Sequence, residues 1–323
     1  PSAGATRFAE QQRIAMRTHT TVRALDTAAR RIETDAGSLD FGRLVLALGA
    51  RQIGLPGAAF DERMLSVNHL DDYRVFRAAL DGRRRVLVLG AGFIGCEFAC
   101  DLRQAGFEVE LVDLAPRPLA RFWPDALSAR FVARLADAGI RWHLGVRIER
   151  LQREGDRVVA ALSDGTLVHA DLALSALGLA PCTELAREAG LRIGRGIAVD
   201  ATLATSAPGV YALGDCAEID GHLWPFVMPI LHCARALART LAGTPTPIAF
   251  PPMPIVLKTP ACPAAFLPAP SGANGTWQLD GEDCAVLRDP SGEAIGVALL
   301  GAAVQRRDEW VRQLAAAKEA FVH

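Results

Sequence analysis

Arg85-Val-Leu-Val-Leu-Gly90-Ala-Gly92-Phe93-Ile94-Gly95 is the stretch on which the reading of this chain turns. Its opening is a short apolar run, the pattern of a strand buried on both faces of a parallel sheet. A helix is expected next, with Ile94, Phe98 and Leu102 spaced to share one face and Gly106 placed to stop it. Phe107 to Asp113 reads as a second strand. Strand, glycine turn, helix and strand within about thirty residues make a βαβ unit. Gly90, Gly92 and Gly95 form G-x-G-x-x-G inside it. The first glycine makes the tight turn, the second admits a pyrophosphate to the helix N-terminus, and the third lets helix and strand pack closely. This setting favours a dinucleotide site over a plain tight turn.

Asp113 ends the second strand, eighteen residues after Gly95. A carboxylate there accepts hydrogen bonds from both adenosine ribose hydroxyls and repels a 2′-phosphate, which argues for NAD over NADP. Arg117 and Arg121 argue the other way, because arginine suits a 2′-phosphate. Glu97 falls in the first helical turn, and two readings stay open: a favourable partner for the helix dipole, or a carboxylate facing the nicotinamide.

Outward from this unit, a helix is expected from Pro124 to Gly139, then a strand from Ile140 to Leu144. Ser163-Asp164-Gly165-Thr166 reads as a hairpin turn, and Asp171 to Leu177 as another apolar strand. Flanking segments look like two parts of one other domain. Upstream, Leu39 to Leu48 reads as a buried strand running into Ala47-Leu48-Gly49. Downstream, Gly209-Val-Tyr-Ala-Leu-Gly214-Asp215 delivers a glycine and then a carboxylate to the carboxyl end of a sheet, where ligands bind in α/β folds. A helix follows from about Pro229 to Leu241, and five prolines between Thr244 and Pro254 mark a boundary. Short β runs and a charged helix complete the chain. The strand-then-glycine endings at Gly49, Gly178 and Gly214 resemble one another.

Composition narrows the function class. The chain has 323 residues, 50% apolar and 22% charged, with 35 basic against 36 acidic side chains. That length suits about two domains with real cores. Balanced charge gives no global field for nucleic acid or an anionic membrane. The long uncharged stretch Thr259 to Leu279 is broken by Pro260, Pro263, Pro268 and Pro270, so it reads as loops and edge strands rather than a membrane span. Seven cysteines (96, 100, 182, 216, 233, 262 and 284) contain no Cys-x-x-Cys, which suits a reduced cytoplasm and offers no zinc site. Cys96 and Cys100 read as small packing residues rather than a redox pair.

Gly90 to Glu97, together with Thr205 to Asp215, resembles the pyridine-nucleotide-disulfide oxidoreductase superfamily of two-dinucleotide flavoproteins. Arg83 to Gly92, Phe226 to Gly243 and Val256 to Pro263 resemble its rubredoxin–NAD(+) reductase branch in particular, and the similarity runs over essentially the whole chain. The resemblance implies an α/β fold with two dinucleotide-binding, Rossmann-like domains and a small α+β C-terminal domain. Residues 1–82 with 203–246 would form the FAD domain, 83–202 the NAD(P) domain, and 247–323 the C-terminal domain. That superfamily opens with a further glycine-rich βαβ unit for the FAD pyrophosphate, and nothing like it precedes Val22. The chain is therefore expected to be an N-terminally truncated copy, retaining FAD poorly, with any redox cysteine of the missing part unseen.

By the same resemblance, Gly90, Gly92, Gly95 and Asp113 would hold NAD, Phe93, Ile94 and Gly178 are further cofactor-binding candidates, and Glu97 would position the nicotinamide carboxamide over the flavin. The Val22 backbone would pair with the FAD adenine, Ala47 to Gly49 would pass along the cofactor, and Gly214 and Asp215 would hold its ribityl chain. Met228 and Pro229 would start a helix aimed at the flavin's pyrimidine side, where a helix N-terminus stabilises negative charge. Lys258, one of only two lysines, matches a flavin-side position, with a solvated strand residue as the plainer reading.

The activity implied is hydride transfer from NADH to FAD and single-electron delivery to rubredoxin or a similar small electron-transfer protein in the cytoplasm. No metal, nucleic acid or membrane is expected. Two other readings stand beside it. One is a related NADH-dependent flavoprotein reductase using ferredoxin, peroxide or a disulfide. A short C-terminal segment without a His-Pro pair counts against the glutathione-reductase type. The other is a non-catalytic NAD-binding fragment.

Overall fold

The computed structural model describes residues 4–55, 63–120, 122–270 and 272–320. The chain divides into two compact units, Pro1–Ala50 with Pro181–Ala249, and Arg51–Ala180 with Phe250–His323.

The second unit is built on a five-stranded parallel sheet. Its order is Met64–Ser66, Leu172–Ser175, Arg85–Leu89, Glu108–Asp113, Ile140–Leu144. The strand Arg85–Leu89 lies at its centre, and Val86, Leu87, Val88 and Leu89 are each at most 1% exposed. That explains the unbroken apolar run: helices and a second layer cover both faces. Phe93–Gln104 is the helix that follows Arg85–Leu89, and Asp125–Asp137 the one that follows Glu108–Asp113. The Asp-Gly hairpin forms, joining Arg157–Leu162 to Leu167–Ala170 in an antiparallel three-stranded sheet with Ile148–Glu154.

Beyond the prolines, five antiparallel strands run in the order Ile255–Leu257, Ala264–Leu267, Ala294–Leu300, Cys284–Arg288, Thr276–Leu279, with the helix Arg307–Ala320 against them. This sheet shares a core with the parallel one. Phe266 packs against Trp123 with centroids 4.8 Å apart and planes tilted by 59°, and meets the Phe93 ring edge-on at 5.5 Å, while Phe93 meets Phe122 edge-on at 4.8 Å. Arg134 adds a polar tie, donating to Asp283 at 2.7 Å and to the Cys262 sulfur at 3.7 Å.

The first unit holds an antiparallel meander, Val22–Asp26, Arg31–Thr34 and Gly37–Asp40, and a parallel pair, Leu44–Leu46 with Val210–Ala212. The strand expected over Leu39 to Leu48 is thus two strands. Asp40 closes the meander through Arg31 at 2.6 Å, and the Phe41 N–H turns back to Arg30, so the chain changes sheets at Gly42. The helix Val227–Leu241 completes this unit with Pro229 in its first turn, where a missing N–H costs nothing.

One helix face also differs from expectation. Ile94 is 53% exposed, and the buried face of Phe93–Gln104 is carried by Gly95, Cys96, Ala99, Cys100 and Leu102. Gly95 sets that phase by lying directly on the glycine turn, which rotates Ile94 outward. Cys96 and Cys100 are packing residues, and burial pushes the Cys100 thiol up to about 12.

Candidate functional site

The glycine turn is a set of contacts with different tolerances. A Cβ on Gly95 would sit 1.9 Å from the Gly90 carbonyl oxygen, and one on Gly90 would sit 2.6 Å from that of Ala176. Both positions therefore exclude any side chain. A Cβ on Gly92 would meet nothing within 4 Å. Gly92 is the N-cap of Phe93–Gln104, and no side chain caps that helix. An uncapped helix N-terminus facing open space, with backbone amides pointing outward, fits an anionic pyrophosphate.

Asp113 ends its strand beside this turn. Its Oδ2 accepts the Ala91 N–H at 2.5 Å and its Oδ1 the Ala115 N–H at 2.7 Å, so the carboxylate pins the glycine loop to the next strand's exit. Each oxygen keeps a lone pair for a ribose hydroxyl. Arg117 pairs with the exposed Asp125 carboxylate. Arg121 lies outside the described residues. Gly178, at φ +103°, follows the strand Leu172–Ser175 in the same unit, and its carbonyl accepts the Ile53 N–H at 3.0 Å.

Glu97 and Lys258 come together. The Lys258 N–H donates to Glu97 Oε1 at 2.8 Å, joining the glycine-turn helix to the end of the edge strand Ile255–Leu257. The Lys258 side chain is exposed.

In the other unit, the parallel pair delivers Ala47, Leu48 and Gly49 from one strand and Gly214 and Asp215 from its neighbour. Gly49 and Gly214 have φ of +68° and +79°, with open space where a Cβ would stand. Asp215 Oδ1 is buried and has no hydrogen-bond partner. Burial raises this carboxyl above its ordinary value. A buried acceptor without a donor is costly and calls for one. A polyhydroxyl chain supplies O–H donors, so these residues fit the ribityl part of a flavin. Val22 opens the meander at a register shift, 37% exposed. Met228 is 44% exposed in the first turn of Val227–Leu241, which no side chain caps.

Motif reading missed the sulfur of Cys216. It accepts the Leu48 N–H at 3.3 Å and lies 3.4 Å from the Leu213 and 3.6 Å from the Leu46 carbonyl oxygens. Its position after Asp215 was the only signal in the sequence. Among the described residues, no group of three or more His, Cys, Asp or Glu side chains is placed to hold a metal ion. No helix among them is long and apolar enough to cross a membrane.

A glycine turn on a parallel sheet, with a second ligand-ready strand end in a separate unit, defines an α/β protein of the two-dinucleotide type. The chain belongs to the pyridine nucleotide-disulphide oxidoreductase family, whose model matches residues 3–238. Residues 247–314 match a rubredoxin-binding C-terminal domain. The chain is 43% identical to a rubredoxin–NAD(+) reductase of Alcanivorax borkumensis, over 96% of this chain and 82% of that one. It is 40% identical to a nitric oxide reductase FlRd–NAD(+) reductase of Aeromonas hydrophila, over 95% and 80%. A crystal structure of a ferredoxin reductase from Rhodopseudomonas palustris superposes with a TM-score of 0.82 at 32% identity, covering 91% of this chain and 75% of that one. The reductase in a covalent putidaredoxin reductase–putidaredoxin complex shares the fold, with a TM-score of 0.87 at 24% identity over 97% and 78%.

Proposed function

We propose that this chain is a cytoplasmic NADH-dependent flavoprotein reductase that delivers electrons to rubredoxin or a similar small electron-transfer protein. The observation that carries the reading is the buried, partnerless Asp215 Oδ1, an acceptor built for a hydroxyl chain in a unit separate from the glycine turn. Bound FAD would take hydride from NADH and release its electrons singly, the redox chemistry belonging to the cofactors.

The protein's part is binding and positioning. The unit that holds residues 51–180 would carry NADH, with the pyrophosphate at Gly92 and the ribose at Asp113. The unit of residues 1–50 with 181–249 would carry FAD through Val22, Ala47 to Gly49, Gly214, Asp215, Met228 and Pro229. Glu97 would orient the nicotinamide carboxamide, and Lys258 would face the flavin. Residues 247–323 would present the acceptor's docking surface, which the match over 247–314 supports.

The test is a flavin spectrum of the full-length protein, then NADH-dependent reduction of purified rubredoxin against ferredoxin, peroxide and a disulfide. Fast turnover with rubredoxin that slows as salt rises supports the reading and charge-guided docking. Preference for ferredoxin keeps the hydride step and moves the acceptor assignment. A protein without flavin ends the reading.

A further inference from the structure

We propose that Cys216 is the positioning residue of the flavin-side strand ends, its thiol fixing Asp215 and the Leu48–Gly49 turn in one geometry. The inference rests on the flavoprotein reading and concerns a residue that reading does not use.

The parallel pair Leu44–Leu46 and Val210–Ala212 runs out at its carboxyl end, where the two chains must part to admit a ligand. The last inter-strand bond is Leu213 N–H to the Leu46 carbonyl, at 3.1 Å. Past it, Leu48 has no strand partner for its N–H, and the Leu213 carbonyl points into the same gap. The fully buried Cys216 sulfur fills that gap. It accepts from the Leu48 N–H at 3.3 Å, and its single S–H has the Leu213 carbonyl at 3.4 Å and the Leu46 carbonyl at 3.6 Å within reach. A thiol is suited to this because it donates and accepts at once. Alanine leaves the Leu48 amide and the Leu213 carbonyl without that partner, and each loss falls next to a flavin-facing residue.

The role is positional rather than redox. The sulfur is 0% exposed, and burial pushes its thiol up, so it stays S–H, the form the geometry needs. Asp215, one residue earlier in the same short turn Gly214–Cys216, contributes the unpaired oxygen. A shift at Cys216 therefore moves the acceptor itself.

The experiment compares flavin-loaded full-length protein with Cys216→Ala and Cys216→Ser. Readouts are the equilibrium affinity for FAD, the shape of the visible flavin band, the KM for NADH and the thermal midpoint. Alanine is expected to weaken FAD binding about tenfold and alter the band, with KM for NADH unchanged. Serine keeps a donor and an acceptor and is expected to restore affinity to within roughly threefold. Flavin properties unchanged in the alanine variant overturn the proposal. Equal loss in both variants with a lowered thermal midpoint also overturns it, since the sulfur then only fills space. A wild-type protein that takes up no FAD sinks the flavoprotein reading itself, a result separable from these two.

Discussion

The backbone N–H of Lys258 donates to the Glu97 carboxylate at 2.8 Å, across 161 residues of sequence. One acidic side chain on the glycine-turn helix thus anchors the edge of the C-terminal sheet. The same carboxylate is the group proposed to orient the nicotinamide, so that proposed role and the anchoring of the edge strand fall on one side chain.

Glu97→Ala removes that acceptor and the proposed carboxamide partner together. Reduction of the flavin by NADH is expected to slow about tenfold, with the KM for NADH changing less. Stopped-flow absorbance checks this. An unchanged hydride step would restrict Glu97 to holding Lys258.

Gly92 and Gly95, three residues apart, are expected to respond oppositely to the same substitution. Gly92→Ala places a methyl group in open space. It is expected to fold normally and to raise the KM for NADH about tenfold by obstructing the pyrophosphate. Gly95→Ala drives a methyl group against the Gly90 carbonyl and is expected to cost about 3 kcal/mol of stability. Thermal unfolding and NADH titration of the two variants read the contrast.

Asp113→Ala is expected to lower kcat/KM for NADH about tenfold by removing a charged acceptor from the ribose. NADPH use falls less, because repulsion of the 2′-phosphate goes with the carboxylate. Since Asp113 also holds the Ala91 and Ala115 amides, some loss is common to both cofactors. The ratio is the measurement, and equal losses would reject the ribose assignment.

Asp171 gives a pH signature in stability. Burial alone raises its carboxyl, but the Arg84 and Arg85 amides and the Arg85 guanidinium outweigh burial and hold it below its ordinary value of 3.8. A depressed carboxyl stabilises the fold above its unfolded-state value and loses that contribution as pH falls through the folded one. Asp171→Asn is expected to cost about 2 kcal/mol at pH 7. Its stability should converge with wild type as the pH is taken below 3.8. Urea unfolding across that range tests the convergence.

These sites divide into what local pattern reveals and what only folding assembles. The glycine turn, the parallel strands around it and the Asp-Gly hairpin were legible because each is set by residues within a few positions of one another. Leu39 to Leu48 looked like one strand because hydropathy cannot see that Asp40 pairs back to Arg31 while Leu44 pairs with Val210. Ile94 looked buried because helical spacing fixes relative faces and leaves the phase to a contact, here Gly95 on Gly90. Spacing marks Asp113 as a candidate cofactor ligand, and its hold on Ala91 depends on a turn whose geometry no spacing rule supplies. Glu97 with Lys258, and Cys216 with Leu48, are pairings across the chain that no local pattern contains.

The aromatic cluster of Phe93, Phe122, Trp123 and Phe266 has a practical consequence for engineering. The segment matched to rubredoxin binding is no detachable cassette, because its Phe266 is seated among rings that belong to the nucleotide-binding half, and its Asp283 is held by Arg134. Redirecting such a reductase to a new acceptor by swapping in a foreign C-terminal segment would take Phe266 from the Phe93 ring and the Lys258 amide from Glu97, both on the glycine-turn helix. A chimera that works would transplant both sides of that seam together.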